Sequence, residues 1–243
     1  MSHGAPERIA LLRDLYANQL AERPGDPYLQ AHSTDHFLAG TERVFRFVDR
    51  WVPPDARVLD WGCHHAPDSC LLRFEREDAI ELHGCDVVAP GTFGAFHEYA
   101  RLDYRHLQHP YALPYDDECF DVVIASGVLE HVPLMYESLR ELYRIVRLGG
   151  RLIITYLPNQ LSIEEWHLRR NGSPEHHNRL LSRSRARGTL LRWGFEPLVL
   201  GYQTTLDLLD SDGESGVRSK LAMVGAHHFT SCLCGVATKV AAI

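Results

Sequence analysis

At 243 residues the chain is long enough for one large α/β domain with helical additions, and slightly short for two independent domains. Its net charge of -7 argues against an extended nucleic-acid surface and favours a small-molecule partner. No apolar stretch approaches the roughly 20 residues of a membrane span, and the N-terminus lacks the apolar core of a secretion signal. We therefore expect a cytoplasmic protein, monomeric or homodimeric, that binds neither nucleic acid nor membrane.

Six cysteines and fifteen histidines raise the question of disulfides or metal binding. The cysteines are scattered through predicted strands and helices, which favours reduced thiols. Cys232 and Cys234 lie two apart on one predicted strand face, a poor chelate spacing. No His-x-x-x-His pair with a supporting carboxylate lies on a clear helix, so we expect no metal. Metal binding stays open as the alternative because three adjacent histidine pairs occur, His64-His65, His176-His177 and His227-His228.

In chain order, two helices come first, over 6–22 and 35–51, because apolar residues recur there at helical spacing. A turn-rich linker containing Pro24-Gly25-Asp26-Pro27 joins them. Short apolar runs then alternate with helices, which predicts an α/β fold with a mostly parallel sheet covered on both faces. The strands are predicted at 57–60, 80–87, 104–107, 120–126, 151–156, 197–204 and 229–240, and further helices at 67–77, 134–147 and 182–193. We expect the last two strands to form an antiparallel edge hairpin, with 207–226 as a surface loop or small lid.

Two acids end consecutive predicted strands. Asp60 is followed by Trp61, Gly62 and Cys63, and the glycine lets the chain turn tightly where a ligand can approach the backbone. Asp86 ends the next strand, where a carboxylate can accept hydrogen bonds from ribose hydroxyls. Since ligands of open α/β sheets collect at the carboxyl ends of the strands, these acids predict a ligand-binding crevice at that edge of the sheet.

Three later segments follow in order: LPYDDECFDVV at 113–123, SGVLEHV at 126–132 and LRELYRIVRLGG at 139–150. With the loop after Asp60 they closely resemble the motifs of class I S-adenosylmethionine (SAM)-dependent methyltransferases, in particular the ubiquinone/menaquinone-type and polysaccharide-cluster enzymes. The resemblance covers about residues 55–200. It implies a Rossmann-like fold with a seven-stranded sheet, residues 55–243 as the SAM-binding domain, and 1–54 as a helical cap forming one compact unit with it. His64 departs from the family pattern, since it stands where another glycine is expected.

The resemblance also implies which residues hold SAM and its product S-adenosylhomocysteine (SAH). Asp60 would order the glycine turn, Asp86 would bind the ribose, and Val87 would lie against the adenine. Gln108 or His109 stands where the family often has an acid for the adenine amino group. The full set implied at the cofactor is Asp60, Gly62, Cys63, His64, Asp86, Val87, Gln108, His109, Ser126 and Leu129.

The expected reaction is O-methylation of a small hydroxylated metabolite or saccharide. His131 is the candidate general base because its intrinsic pKa suits proton removal, with a pocket-wall role as the alternative. A polar segment after the fifth strand would contact the substrate through Tyr156, Asn159, Trp166 and His167, followed by a further stretch with His176, His177 and Arg179. A solvated helix face explains Glu164, Glu165, Arg169 and Arg170 equally well. Two other functions stay open: a SAM-binding protein with a non-methylating reaction, and a non-catalytic partner of an active homologue.

Overall fold

The structure is a computed structural model that describes residues 3–109, 111–172, 177, 179–203 and 232–241. It contains two compact units. Among these described residues, the first unit comprises those up to Pro114 together with Phe120–Ile124, and the second comprises Tyr115–Cys119 and those from Ala125 onward. The three N-terminal helices, predicted to form a cap, belong to the first unit.

Eight α-helices and seven strands occur in the described part of the chain. The helices are α1 (Ala5–Glu22), α2 (Pro27–His32), α3 (Asp35–Trp51), α4 (Pro67–Arg76), α5 (Gly94–Ala100), α6 (Met135–Ile145), α7 (Ile163–Arg170) and α8 (Arg183–Arg192). The strands are β1 (Arg57–Trp61), β2 (Glu81–Asp86), β3 (Asp103–His106), β4 (Phe120–Ser126), β5 (Val146–Pro158), β6 (Phe195–Tyr202) and β7 (Cys232–Lys239).

The strands form a seven-stranded sheet in the order β3-β2-β1-β4-β5-β7-β6. β1 pairs in parallel with both β2 and β4, and β2 pairs in parallel with β3. β7 runs antiparallel between β5 and β6. The predicted Rossmann-like α/β fold, with its mostly parallel sheet and antiparallel edge pair, is confirmed. Central strands such as β1 and β4 are almost continuously buried, as expected when both faces of a parallel sheet are covered.

Several elements differ from the sequence prediction. The linker contains the short helix α2, whose start is capped because the Asp26 carboxylate accepts hydrogen bonds from the N–H groups of Tyr28 and Leu29. α5 was not predicted, and β5 is longer than the predicted 151–156 at both ends. Its pairing with β7 is interrupted between Ile154 and Leu157. The predicted loop at 207–226 lies outside the described residues.

A buried ionic group joins the helices of the first unit. Arg8 on α1 donates from Nη2 to Glu42 of α3 over 2.7 Å and from Nη1 to Glu75 of α4 over 2.8 Å. All three side chains are less than a tenth exposed, so removing one partner would leave buried charge uncompensated. Among the described residues, no helix has the length and apolar character required to cross a membrane.

Candidate functional site

The β1 loop, Gly62 to Ala66, is held against the end of β2 by its own backbone. The N–H of Gly62 donates to the carbonyl of Cys85 over 2.8 Å, and the N–H of Cys63 reaches the same oxygen at 3.3 Å. Gly62, His64 and Ala66 all have positive φ, at 67°, 49° and 54°. Because non-glycine residues rarely adopt this conformation, the loop stores backbone strain next to the end of β1.

Asp86 ends β2 and binds the β1 loop through its carboxylate. Oδ2 accepts the N–H of His64 over 2.8 Å, and Oδ1 accepts the N–H of Val88 over 3.1 Å. A carboxylate offers about four acceptor positions, so each oxygen keeps capacity for one more donor. The neighbouring Val87 is 53% exposed. A fixed carboxylate beside an exposed apolar side chain fits a ribose and the face of a base.

Asp60 is turned toward α4 within the first unit. Its Oδ2 accepts the hydroxyl of Ser69 over 2.7 Å, and the residue is only 3% exposed. Burial, with a smaller contribution from Asp68, raises the pKa of Asp60 to about 7, although the Ser69 hydroxyl opposes this. Asp60 therefore contacts the start of α4, and this contact helps to position the β1 loop.

The imidazole of His64 packs among aromatic side chains of the first unit. Its ring centroid lies 4.2 Å from that of Phe93 and 4.5 Å from that of Tyr28. Burial lowers the pKa of His64, and lowers that of His65 further, so both rings are neutral at pH 7. The side chain at the glycine position is thereby accommodated by a cluster that sequence reasoning missed. Asp26-Pro27, a typical helix start, was the signal for the helix that carries Tyr28.

The remaining predicted cofactor residues of the first unit differ in exposure. Cys63 is 5% exposed, and burial raises the pKa of its thiol well above the ordinary value, which makes it a packed residue rather than a nucleophile. Gln108 and His109 are both exposed and follow β3. The ring of His109 stacks on Tyr111 with centroids 5.2 Å apart. The adenine roles of Gln108 and His109 stay predictions.

In the second unit, the end of β4 is bonded to β5. The Ser126 hydroxyl lies 2.8 Å from that of Thr155, and the N–H of Gly127 donates to the Thr155 carbonyl over 3.0 Å. Gly127 has φ +66°, the left-handed conformation that glycine adopts without strain. Leu129 is 4% exposed, and its carbonyl accepts a hydrogen bond from Nη1 of Arg179 over 2.7 Å. Arg179 thus helps to fix the segment that carries Glu130 and His131.

Three side chains converge just after this turn. Glu130, His131 and His177 (hereafter the Glu130 cluster) each offer a carboxylate oxygen or ring nitrogen, and these atoms all lie within 4.8 Å of one another. Nε2 of His131 is 3.9 Å from Oε1 of Glu130, and the rings of His131 and His177 are 5.2 Å apart. The His131 side chain is 64% exposed and that of Glu130 only 3%. Burial raises the pKa of Glu130 to about 7 and lowers the pKa of His131.

Glu165 on α7 orients His177. Its Oε2 accepts the N–H of His177 over 3.1 Å, and its Oε1 lies 2.5 Å from Nδ1 of the same residue. The Glu165 side chain is 6% exposed, so the alternative that it belongs to a solvated helix face is wrong. When Nδ1 of His177 donates to Glu165, Nε2 is the ring nitrogen that can act as an acceptor or metal ligand. His176 lies outside the described residues.

The predicted substrate residues do not share one environment. Trp166 is 55% exposed, with the Arg170 guanidinium 5.2 Å from its ring centroid, and His167 is exposed beside it. Tyr156 is half-buried, with φ +57°. Asn159 is 1% exposed, and its Oδ1 accepts the N–H of Leu161 over 3.2 Å. Asn159 is therefore a residue of the turn after β5 rather than of an open substrate wall.

Comparison with known proteins adds a family match. Residues 59–154 match the family described as a methyltransferase domain. A malonyl-[acyl-carrier protein] O-methyltransferase of Pseudescherichia vulneris is 29% identical over 162 residues, which are 64% of this chain and 62% of that protein. The chain spans less than two thirds of the length of the curated relatives that it matches first.

Solved structures share the fold. The geranyl diphosphate C-methyltransferase of Streptomyces coelicolor A3(2) superimposes with a TM-score of 0.59 at 15% identity, covering 89% of this chain and 88% of that one. The [4+2]-cyclase SpnF superimposes with a TM-score of 0.58 at 20% identity, covering 84% and 83%. At such identities the likeness concerns the fold alone.

Proposed function

We propose, from the match of residues 59–154 to a methyltransferase domain, that this chain transfers a methyl group from SAM to a hydroxyl of a small metabolite or saccharide. The observation that carries the proposal is the Asp86 carboxylate, fixed by two backbone N–H groups beside the exposed Val87. SAM supplies a methyl group on a sulfonium, which is already an activated leaving group. The protein then needs only to align the two reactants and remove a proton.

The first unit would bind SAM, the methyl donor. Asp86 would accept hydrogen bonds from the ribose hydroxyls, Val87 would pack against the base, and Gln108 or His109 would bond the exocyclic amino group. The backbone of the β1 loop would contact the methionine moiety, and Asp60 supports the loop through Ser69. Because hydrogen bonds fix Asp86, Asp60 and the β1 loop before a ligand arrives, little ordering of these groups would be needed on binding. Alignment of this kind can supply up to roughly 7–11 kcal/mol of the barrier.

The second unit would provide proton removal. His131 is exposed, and burial of part of its ring lowers its pKa, so a neutral imidazole is available at pH 7 to accept the hydroxyl proton. Ser126 and Leu129 precede it and would line the methyl-transfer position. A general base of this type contributes about 10²–10⁴ in rate.

A hydroxyl acceptor is the finer part of the proposal. Trp166 and His167 offer an exposed aromatic and polar surface, which suits a hydroxylated ring, and Tyr156 offers a phenol. A curated relative is an O-methyltransferase, whereas the fold neighbours include a C-methyltransferase and a cyclase. Support for oxygen therefore comes from that relative and from the neutral base. We also propose action in the cytoplasm on a small molecule, as a monomer or homodimer.

The test is methyl transfer by the purified chain to a panel of small polyols, phenols and saccharides, with SAH release and product mass as readouts. His131→Ala is expected to lower the turnover of an active pair by about 10²–10⁴ and to leave SAM affinity unchanged. His36→Ala is the matched control, since His36 is an exposed histidine at the start of α3. Unchanged turnover in His131→Ala would remove the base role, and a chain that binds neither SAM nor SAH would overturn the proposed function.

A further inference from the structure

The Glu130 cluster has the composition of a transition-metal site. It combines two imidazoles and one carboxylate, the donor set of catalytic zinc sites that keep a fourth position open. Its potential ligand atoms lie within 4.8 Å of one another. In a tetrahedral site with bonds of about 2.0–2.1 Å, ligand atoms are about 3.3 Å apart. The closure required is small, and the 64% exposed side chain of His131 has room to make it.

The support around His177 is a second, independent feature. A ligating histidine usually donates its other ring N–H to a carboxylate, which fixes the tautomer and the direction of the ring. Glu165 provides this carboxylate, with Oε1 2.5 Å from Nδ1 of His177, and it also accepts the backbone N–H of the same residue. Glu165 is buried, so a hydrogen-bonded pair inside the second unit sets the direction of the His177 ring.

Glu130 supplies the observation that points to a ligand. It is 93% buried, and its Oε2 has no hydrogen-bond partner among the residues that the structure describes. A buried carboxylate oxygen without a donor is costly unless a proton or a cation satisfies it. The nearby Arg179 guanidinium donates to the carbonyls of Leu129 and Val132, each over 2.7 Å. Arg179 attracts the Glu130 charge but makes its hydrogen bonds elsewhere.

We propose that Glu130, His131 and His177 bind one zinc-type divalent metal ion, with Glu165 as the supporting carboxylate. This proposal differs from the expectation, made from the sequence, that no metal binds. The site could not be recognised in the sequence because its ligands come from two segments 46 residues apart. Metal binding stands on this geometry alone, whereas its use in the reaction rests on the proposed function. If both proposals hold, the open fourth position would take the acceptor hydroxyl and lower its pKa, the proton would pass to solvent, and His131 would be a ligand in place of the general base.

The direct test is zinc binding by the purified full chain after removal of metals with a chelator. Isothermal titration with Zn²⁺ alone should show one tight site per chain, and Mg²⁺ should show none. Glu130→Gln and His177→Ala are each expected to weaken zinc binding by at least tenfold. Glu165→Gln, which affects only the supporting carboxylate, should weaken it by about 10–100-fold. Absorption of the Co²⁺-loaded chain should change in all three variants.

Two controls keep the outcome interpretable. His36→Ala should leave zinc binding unchanged, and SAH affinity together with the thermal unfolding midpoint shows whether each variant is folded. Zinc binding that is equally tight in Glu130→Gln and His177→Ala would mean binding to other histidines, and would overturn the proposed site. Absence of a stoichiometric zinc site in the wild-type chain would also overturn it.

The proposed function can fail separately from the metal site. If the chelator leaves methyl transfer intact and no zinc binds, the metal proposal is wrong and the proposed function stands with His131 as base. If zinc binds at the Glu130 cluster but the chain binds neither SAM nor SAH, the metal site stands and the proposed function is wrong.

Discussion

Asp86 in the first unit and Glu130 in the second are both buried carboxylates, but they differ in the hydrogen bonds that their oxygens accept. Each oxygen of Asp86 accepts a backbone N–H, whereas Oε2 of Glu130 has no partner in the described part of the chain. Burial accordingly raises the pKa of Glu130 to about 7. A carboxylate whose two oxygens are held by backbone donors is prepared for neutral hydroxyls, whereas a buried carboxylate oxygen without a donor requires a proton or a cation.

The largest effect in this comparison is expected from Asp86→Ala. This change removes the acceptors for the ribose and also the hydrogen bond that holds His64 of the β1 loop. With each charge-assisted bond worth about 1.5–3 kcal/mol, SAH affinity should fall by about 100-fold or more. Asp86→Asn keeps one acceptor oxygen and should lose less. Asp55→Ala, at an exposed position, is the control in titration calorimetry. An unchanged SAH affinity in Asp86→Ala would contradict the proposed SAM-binding role of Asp86.

A smaller effect is expected at Asp60, and its dependence on pH distinguishes Asp60 from Asp86. Folding raises the pKa of Asp60 from an ordinary 3.8 to about 7, so the folded chain binds this proton more tightly than the unfolded chain. The resulting stability is present below pH 4 and is lost as the pH rises through 7. Asp60→Asn stays neutral and can still accept the Ser69 hydroxyl, so it should be more stable than wild type at pH 8 by on the order of 1–3 kcal/mol.

Thermal unfolding of both proteins from pH 4 to 8, without added ligand, measures this difference. The advantage of Asp60→Asn should grow across that interval and level off above pH 7. A difference that does not vary with pH would show that Asp60 is ionised in the folded chain throughout, and that its bond to Ser69 outweighs its burial.

The smallest effect is expected from His64→Gly, which restores the family's residue. Glycine relieves the strain at φ +49° but loses the ring contacts with Phe93 and Tyr28. These contributions oppose each other, so the free energy of unfolding should change by less than about 1 kcal/mol. SAH affinity should change by less than threefold, whereas His64→Ala, which keeps the strain, should be the less stable variant. A tenfold gain in SAH affinity would instead mean that the imidazole of His64 obstructs the binding of SAM and SAH.

Much of the fold could be predicted from local pattern. β4 begins and ends where its apolar run does, and α1 and α3 lie within a residue of the helical periodicity. Asp86 and Val87 were placed at the end of β2 because a strand followed by an acid is a local pattern. The family prediction agrees with the match of residues 59–154 to a methyltransferase domain. The six-residue α2 and seven-residue α5 were missed because such short helices show no full period of apolar residues.

The sequence by itself determined the order of strands and helices and the acids at the strand ends, because these depend on periodicity and on neighbours within a few residues. Only the tertiary structure decided how the charged groups are satisfied. The sequence is compatible with a solvated or a buried Glu165, and only the structure shows its bond to His177. Glu130 and His177, which meet in the same cluster, are 47 residues apart in the chain. Such contacts depend on how separate elements pack, and packing leaves no periodic signal in the chain.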